Sequence, residues 1–355
     1  MALTNRVISI TEEGFVPASI DATLNSNVLT ARLFMREQKS WNGRQMFIPL
    51  QVSKPTNGGS FTGVGDFDTS LQDTRVRQTF SHKQNYQSVV LDSSEVSLNK
   101  SDAEVLSLVK ISLEEAQNAM TDNIGDQIYG TGTGNDITGL GAIVDDGTNT
   151  STYAGLSRTT YSLLNSTATS ATAGALTFTD MATTFRGAAA AGSRKGRPTI
   201  AVTTETVFDL LESLYTPTTQ ANYDSVSRVQ VTAFSKPGVA YKSQDSLKGH
   251  YGFEALYWRG IPVVADEKQD TGVMHFLNEE YLNWYNLKGV GLSQYQMTQQ
   301  VDSVASEYSQ SYPIQWSGFE KPYNQYSQIG QFIMLGNLIS GHTRRHGKYD
   351  SITTV

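Results

Sequence analysis

Between Ser101 and Gly130 apolar residues recur every three or four positions, at Val105, Val109, Leu113, Ala116, Met120, Ile124 and Ile128. This spacing draws a single stripe along a helix. Ser101 and Glu104 have the separation of a capping box, in which each side chain satisfies an orphan N–H of the first turn. Gly130 supplies the C-terminal stop. The predicted helix is ~40 Å long.

The segment before it has a period of two. Met46, Ile48, Leu50 and Val52 alternate with Gln45, Phe47, Pro49 and Gln51, the signature of a strand with one covered face. A glycine-rich tip follows, Gly58, Gly59, Gly63 and Gly65, with Phe61, Val64 and Phe67 set among them. The return limb is expected to carry Val76, Phe80, Tyr86 and Val90 on one face and Arg75, Arg77, Thr79, Ser81 and Lys83 on the other. Limbs of about 10 to 15 residues would reach roughly 35 to 50 Å. A two-stranded ribbon is marginal by itself in water, so it needs a surface, supplied either by its own domain or by another copy of the chain.

Upstream, residues 1 to about 38 read as an extended arm with helical potential from Ile20 to Leu33 and a basic end at Arg32, Arg36 and Lys39. Downstream of the long helix, Gly130, Gly132, Gly134, Gly139 and Gly141 suggest a flexible joint. Residues 155–295 alternate helix and strand. Thr179 is placed to cap a helix bearing Met181, Phe185, Ala188 and Ala189, Thr199–Thr203 reads as a strand, and Thr204 caps a helix with Val207, Leu210, Leu211 and Leu214 at helical spacing. Leu256–Val264 and Met274–Leu277 read as strands, and the chain turns polar and β-like again from Tyr312 to Ile339. The strands form no regular βαβ series, so the class is α+β.

Composition narrows the function. The chain has 355 residues, enough for a large core. Only 17% are charged, yet 17 Tyr, 14 Phe and 4 Trp argue against disorder. An uncharged polar surface hydrogen-bonds at a contact without the cost of burying charge. The net charge of −7 disfavours a dedicated duplex-binding protein, because such binding depends on clustered cations. Basic clusters at Arg194, Lys195 and Arg197 and at Arg344, Arg345 and Lys348 are the candidates for phosphate contacts, against the plainer reading of solvated loops. With no cysteine, disulfides, thiol catalysis and cysteine-ligated zinc are excluded. No signal-peptide pattern precedes Phe15, and the apolar run from Phe332 to Ile339 is too short to span a bilayer. A soluble protein made in a cytoplasm is expected.

Catalytic patterns are missing. Gly130, Thr131, Gly132, Thr133 and Gly134 follow a helix and lack the glycine–lysine pair of a phosphate loop. His342 and His346 are four apart, but Gly341 and Gly347 argue against the helix a metal pair would need. Glu279 and Glu280 are adjacent and point to different faces in regular structure, so they make no carboxylate pair. No enzyme activity, cofactor or metal is expected.

The order of N-arm, polar β-loop, long helix, glycine-rich joint and α+β domain resembles the major capsid proteins of tailed bacteriophages, the Hong Kong 97-type fold. Local segments carry the resemblance: Gly139–Val144 (GLGAIV) with Tyr153–Arg158 (YAGLSR), then Tyr257–Val264 (YWRGIPVV) with Asp266, Phe276–Asn278, and Gly336–Leu338 with Arg344–Gly347. Thr343 stands where that family commonly has proline, and the loop from Asn149 to Ala175 is unusually rich in Ser, Thr and Ala.

The resemblance implies an N-terminal arm (1–40), an extended β-loop (41–95), a peripheral domain (96–154) with its spine helix at 101–129, an axial domain (155–295), and a return to the peripheral domain (296–355). It implies hexamers and pentamers closing into an icosahedral shell around double-stranded DNA held without sequence-specific binding, in the virion, after assembly in a host cytoplasm. The inter-subunit contacts of the loop would fall on Phe61, Val64, Phe67, Arg75 and Arg77, and interior or inter-capsomer basic contacts on Arg344, Arg345 and Lys348. Some relatives cross-link a loop lysine, for which Lys54 and Lys83 are in the right region. Because the arm begins almost at Met1, a separate scaffolding protein is expected, with a portal and a possible decoration protein as further partners and no membrane. Two other readings stand beside it: an encapsulin-type compartment shell, and a glycan-binding or glycan-active β-rich protein suggested by the aromatic and uncharged polar content.

Overall fold

The computed structural model describes residues 27–36, 39–41, 43–98, 108–189, 196–215, 255–287 and 314–354. In chain order the first elements are α1 (Val28–Met35), β1 (Lys39–Trp41), β2 (Gln45–Gln51), β3 (Arg75–Ser81), β4 (Lys83–Asp92), α2 (Ser93–Leu98), α3 (Leu108–Tyr129) and α4 (Leu140–Ile143). The chain continues through β5 (Thr152–Tyr153), β6 (Leu156–Ser157), β7 (Thr167–Ser170), α5 (Phe178–Ala188), β8 (Ile200–Thr203) and α6 (Glu205–Tyr215). It closes with β9 (Ala255–Trp258), β10 (Ile261–Ala265), β11 (Met274–Leu277), β12 (Leu282–Leu287), β13 (Ile314–Trp316), β14 (Ser327–Ser340) and β15 (Gly347–Asp350).

Two sheets organise the molecule. One has five strands, ordered β1-β12-β14-β13 with β4 also paired to β14. The other has six, ordered β7-β15-β11-β8-β10-β9. Strand β15, near the C-terminus, lies in the same sheet as β8 to β11, while β12 pairs with β14 in the other. The tertiary partition therefore crosses residue 295 in both directions.

Helix α3 covers the five-stranded sheet with the stripe read from the sequence. Leu113, Ala116, Met120, Ile124 and Ile128 are buried in one core with Trp284, Phe332, Met334 and Leu338. Full burial of each large aliphatic side chain is worth about 1.5–3 kcal/mol, which offsets the low apolar content of the helix's other faces. The capping box at Ser101 and Glu104 and the start of the stripe at Val105 lie outside the described residues.

The second core joins Met181 and Phe185 of α5, Val207 and Leu211 of α6, and the sheet residues Ala201, Val263, Met274, Phe276 and Tyr349. All four residues of β8 and all four of β11 are buried. They are sealed on both faces, so they show no alternation. Helix α5 is capped by Thr177, whose side chain accepts from the N–H of Asp180 at 3.1 Å, two residues earlier than expected. Thr204 caps α6 as its spacing predicts. The single strand expected from Leu256 to Val264 is a hairpin of β9 and β10 instead, turning at Arg259 and Gly260, both with positive φ.

The glycines after α3 form a packed joint, where the sequence suggested a flexible one. A Cβ on Gly139 would lie 2.2 Å from the carbonyl oxygen of Gly130 and 2.5 Å from that of Gln127. The chain thus turns directly against the helix end, and Ile137 and Leu140 beside it are fully buried. Helix α1, within the expected arm, is docked on the body: Val28, Leu29, Leu33 and Phe34 are buried. The Leu29 N–H donates to Asp266 Oδ2 at 2.9 Å, and Arg32 pairs with Glu279 at 2.5 Å.

Candidate assembly interface

Strands β2 and β3 pair antiparallel in a register that sets Gln45 opposite Ser81, Pro49 opposite Arg77 and Gln51 opposite Arg75. They form a two-stranded ribbon of seven residues per limb, shorter than the sequence suggested. Residues 53–74 beyond it hold no regular strand.

The return limb also breaks. At His82 the chain passes from β3 in the ribbon to β4 in the five-stranded sheet, and the inward face changes phase. Val76, Gln78 and Phe80 point inward before the break; Val89 and Leu91 are buried after it. Tyr86 and Val90, expected on the same face as Phe80, are exposed. His82 fixes the change: its ring stacks on Trp41 at 4.0 Å, and its Nε2 lies 2.9 Å from the Gly43 carbonyl oxygen.

The base of the ribbon is held by its own subunit. The Thr79 N–H donates to the Ala154 carbonyl at 2.9 Å, and Phe80 meets Tyr153 edge-on at 5.8 Å. Tyr153 in turn donates to the Ser340 carbonyl and accepts from the Ser340 N–H. Burial raises its phenol well above the ordinary value. The β5–β6 turn presents that carbonyl by placing Ala154 at φ 51°, a conformation costing a non-glycine residue about 1–2 kcal/mol. Beneath it Arg158 is 1% exposed, and its guanidinium donates to the carbonyls of Ala142, Ile143, Asp145 and Leu164. In this chain that arginine ties together backbone ends that no helix or sheet satisfies.

The tip is the opposite case. Phe61 is 63% exposed, Phe67 64%, and Val64 and Leu71 entirely so. The rings of Phe61 and Phe67 meet edge-on at 5.0 Å, so the tip has a small apolar nucleus with no second layer. Arg75 and Arg77 are exposed on the ribbon's outer face, and Arg77 lies over the Phe47 ring at 4.2 Å. The five loop residues singled out from the sequence thus share one projection but two places on it, tip and shaft. Leu71 and Phe47 were missed, as was the outward face of β4 and β14, where Tyr86 stands opposite Ile333 and Val90 opposite Ile329. Only the phase change at His82 reveals that face.

The basic trio does not form one patch. Arg344 is exposed and Arg345 half-buried, whereas Lys348 pairs with Asp350 at 3.2 Å. His346 is fully buried, its Nδ1 accepting from the Asn278 N–H and its Nε2 2.9 Å from Ser340 Oγ. Burial pushes its pKa down to about 3, so it is a neutral packing residue with both nitrogens engaged. Of the two cross-link candidates, Lys54 is exposed, while Lys83 donates to the Gly134 carbonyl at 2.5 Å. Among the described residues no helix is long and apolar enough to cross a membrane.

No family model matches the chain, and no curated protein sequence does either. Solved structures do. The cyanophage A-1(L) capsid asymmetric unit superimposes with a TM-score of 0.72 at 17% identity, covering 99% of this chain and 100% of that one. The holo-SrpI encapsulin complex of Synechococcus elongatus matches at 0.58 and 9% identity, covering 99% and 96%. The capsid of a native GTA particle matches at 0.56 and 8%, covering 98% and 99%. Phage capsids and an encapsulin thus share this chain's architecture from end to end, and the protein has the α+β Hong Kong 97-type capsid fold.

Proposed function

We propose that the chain is the major capsid protein of a tailed phage, assembling as pentamers and hexamers into an icosahedral head around double-stranded DNA. The observation that carries this is the projecting ribbon, anchored on its own subunit at Thr79 and Phe80 but exposing Phe61, Val64, Phe67 and Leu71 at its tip. Apolar side chains held clear of a body that has its own closed cores are surface for another molecule. In a symmetric shell that molecule is a second copy, through interfaces of the obligate class, roughly 2,000–5,000 Å². The net charge of −7 suits a container that confines DNA without gripping it. Scaffolding, portal and decoration proteins are the partners such a head would need.

The encapsulin likeness supports a second reading, a shell around protein cargo. Negative-stain microscopy and light scattering of the expressed chain test both. Particles or capsomers of several hundred kilodaltons are expected on the shell readings. Nuclease-protected DNA inside particles from infected cells points to a phage head, and co-purifying protein cargo to a compartment. A stable monomer binding oligosaccharide would overturn both in favour of the glycan reading.

A further inference from the structure

The two edges of the ribbon differ. Val52 N–H donates to the Thr74 carbonyl at 2.9 Å, and Thr79 N–H points away from the ribbon to Ala154. In an antiparallel pair, residues that exchange hydrogen bonds alternate with residues that do not. Leu50, Ile48 and Met46 therefore bond inward to Val76, Gln78 and Phe80, while residues 45, 47, 49 and 51 on β2 and 75, 77, 79 and 81 on β3 turn their backbone groups outward. The outer edge of β2 is interrupted by Pro49, which has no N–H to offer. The outer edge of β3 has no proline; Ala154 occupies it at Thr79, and the Arg75 N–H bends to its own Asp73 Oδ1 at 3.4 Å, which leaves, among the described residues, the N–H and C=O of Arg77 and the C=O of Arg75 open.

We infer that this edge accepts a strand from a second copy of the chain, supplied by residues Asp66–Leu71 of that copy's loop. The inference rests on the shell reading above and names the contact that the loop makes. The chosen segment fits in charge and in period. Extended, it sets Asp66, Asp68 and Ser70 on one face and Phe67, Thr69 and Leu71 on the other. The receiving edge alternates the same way, with Arg75 and Arg77 exposed on one face and Val76 and Gln78 on the inward one. With Asp66 and Asp68 set beside the guanidiniums of Arg77 and Arg75, Phe67 between them falls beside Val76. To extend, the segment exchanges exposed bonds such as Ser70 N–H to Asp68 Oδ1 and Asn57 Nδ2 to the Ser70 carbonyl. Such bonds are made in competition with water and are cheap to give up. The contact is head-to-tail, loop of one copy on ribbon of the next, the type of contact that builds rings when the rotation between copies closes.

Because Arg77 faces Pro49 in a non-bonded pair, Arg77→Pro removes an outward N–H and leaves the β2–β3 ladder whole. Arg77→Thr loses the charge but keeps the N–H. Full-length variants are compared by sedimentation of assembled particles, with thermal unfolding as the control for folding. Arg77→Pro is expected to lower particle yield at least ten-fold at unchanged melting temperature, and Arg77→Thr no more than about three-fold. A charge exchange checks the occupant independently of proline: Asp66→Arg with Asp68→Arg, and Arg75→Asp with Arg77→Asp, should each fail, and all four together should recover particles. Wild-type particles alongside normal Arg77→Pro particles would overturn the strand addition while leaving the shell reading standing. Loss with Arg77→Pro but no response to either charge reversal would overturn the choice of Asp66–Leu71. A wild-type chain that never assembles would sink both.

Discussion

The six-stranded sheet and the β2–β3 ribbon are both β-structure from one chain, and they meet water in opposite ways. In the sheet, β8 and β11 are buried on both faces, roofed by helices and closed by Tyr349 from the far end of the chain. In the ribbon, every other residue of β2 is exposed and the rest are only half-covered. The difference lies in the second layer: a sheet with helices on it is finished, and a ribbon without them is not. The contrast locates stability in the body and interaction in the projection.

Deleting Pro55–Asp68 separates the two most sharply. The body should fold with a melting temperature within about 3 °C of the parent, while light scattering shows no closed particles. Normal particles would break the contrast. Arg158→Ala strikes the body instead. It strands the buried carbonyl of Ala142 and takes one of two donors from those of Asp145 and Leu164, which keep the Ser166 N–H and the Thr343 hydroxyl, and urea unfolding should report a loss of roughly 3 kcal/mol.

A smaller effect is expected at Glu279, where α1 joins the body. Burial pushes this carboxyl up, but the hydrogen bonds and charge of Arg32 outweigh it and hold the pKa below the ordinary value. Its stabilisation is therefore complete above the ordinary glutamate range and is lost as pH falls through the lower folded value. Glu279→Gln should cost about 1 kcal/mol at pH 7 and flatten the decline in unfolding free energy between about pH 5 and 3. A change of similar size and opposite sign is predicted at Gln78, fully buried in the ribbon base with no partner among the described residues for either side-chain polar atom. Gln78→Met should raise stability by about 1 kcal/mol, measured in the same urea series. A loss there would show that the ribbon base depends on the amide.

The sequence by itself fixed whatever repeats locally. The stripe from Val109 to Ile128 gave helix α3, because helical spacing needs no knowledge of the partner. The alternation from Gln45 to Gln51 gave β2, and the glycines around Phe61, Val64 and Phe67 marked the tip. Tertiary structure decided what depends on distant chain. Strand β15 joins β11 and strand β12 joins β14 because each completes a ladder, which no local pattern encodes. The phase change at His82 follows from moving between two sheets, so Tyr86 and Val90 turned outward against their apparent period. The glycines at 130–141 proved to be close-packed because the helix end lies against them. Which ribbon edge is open was visible only once Pro49 was known to face Arg77, since a backbone N–H has a direction only after its strand has a partner.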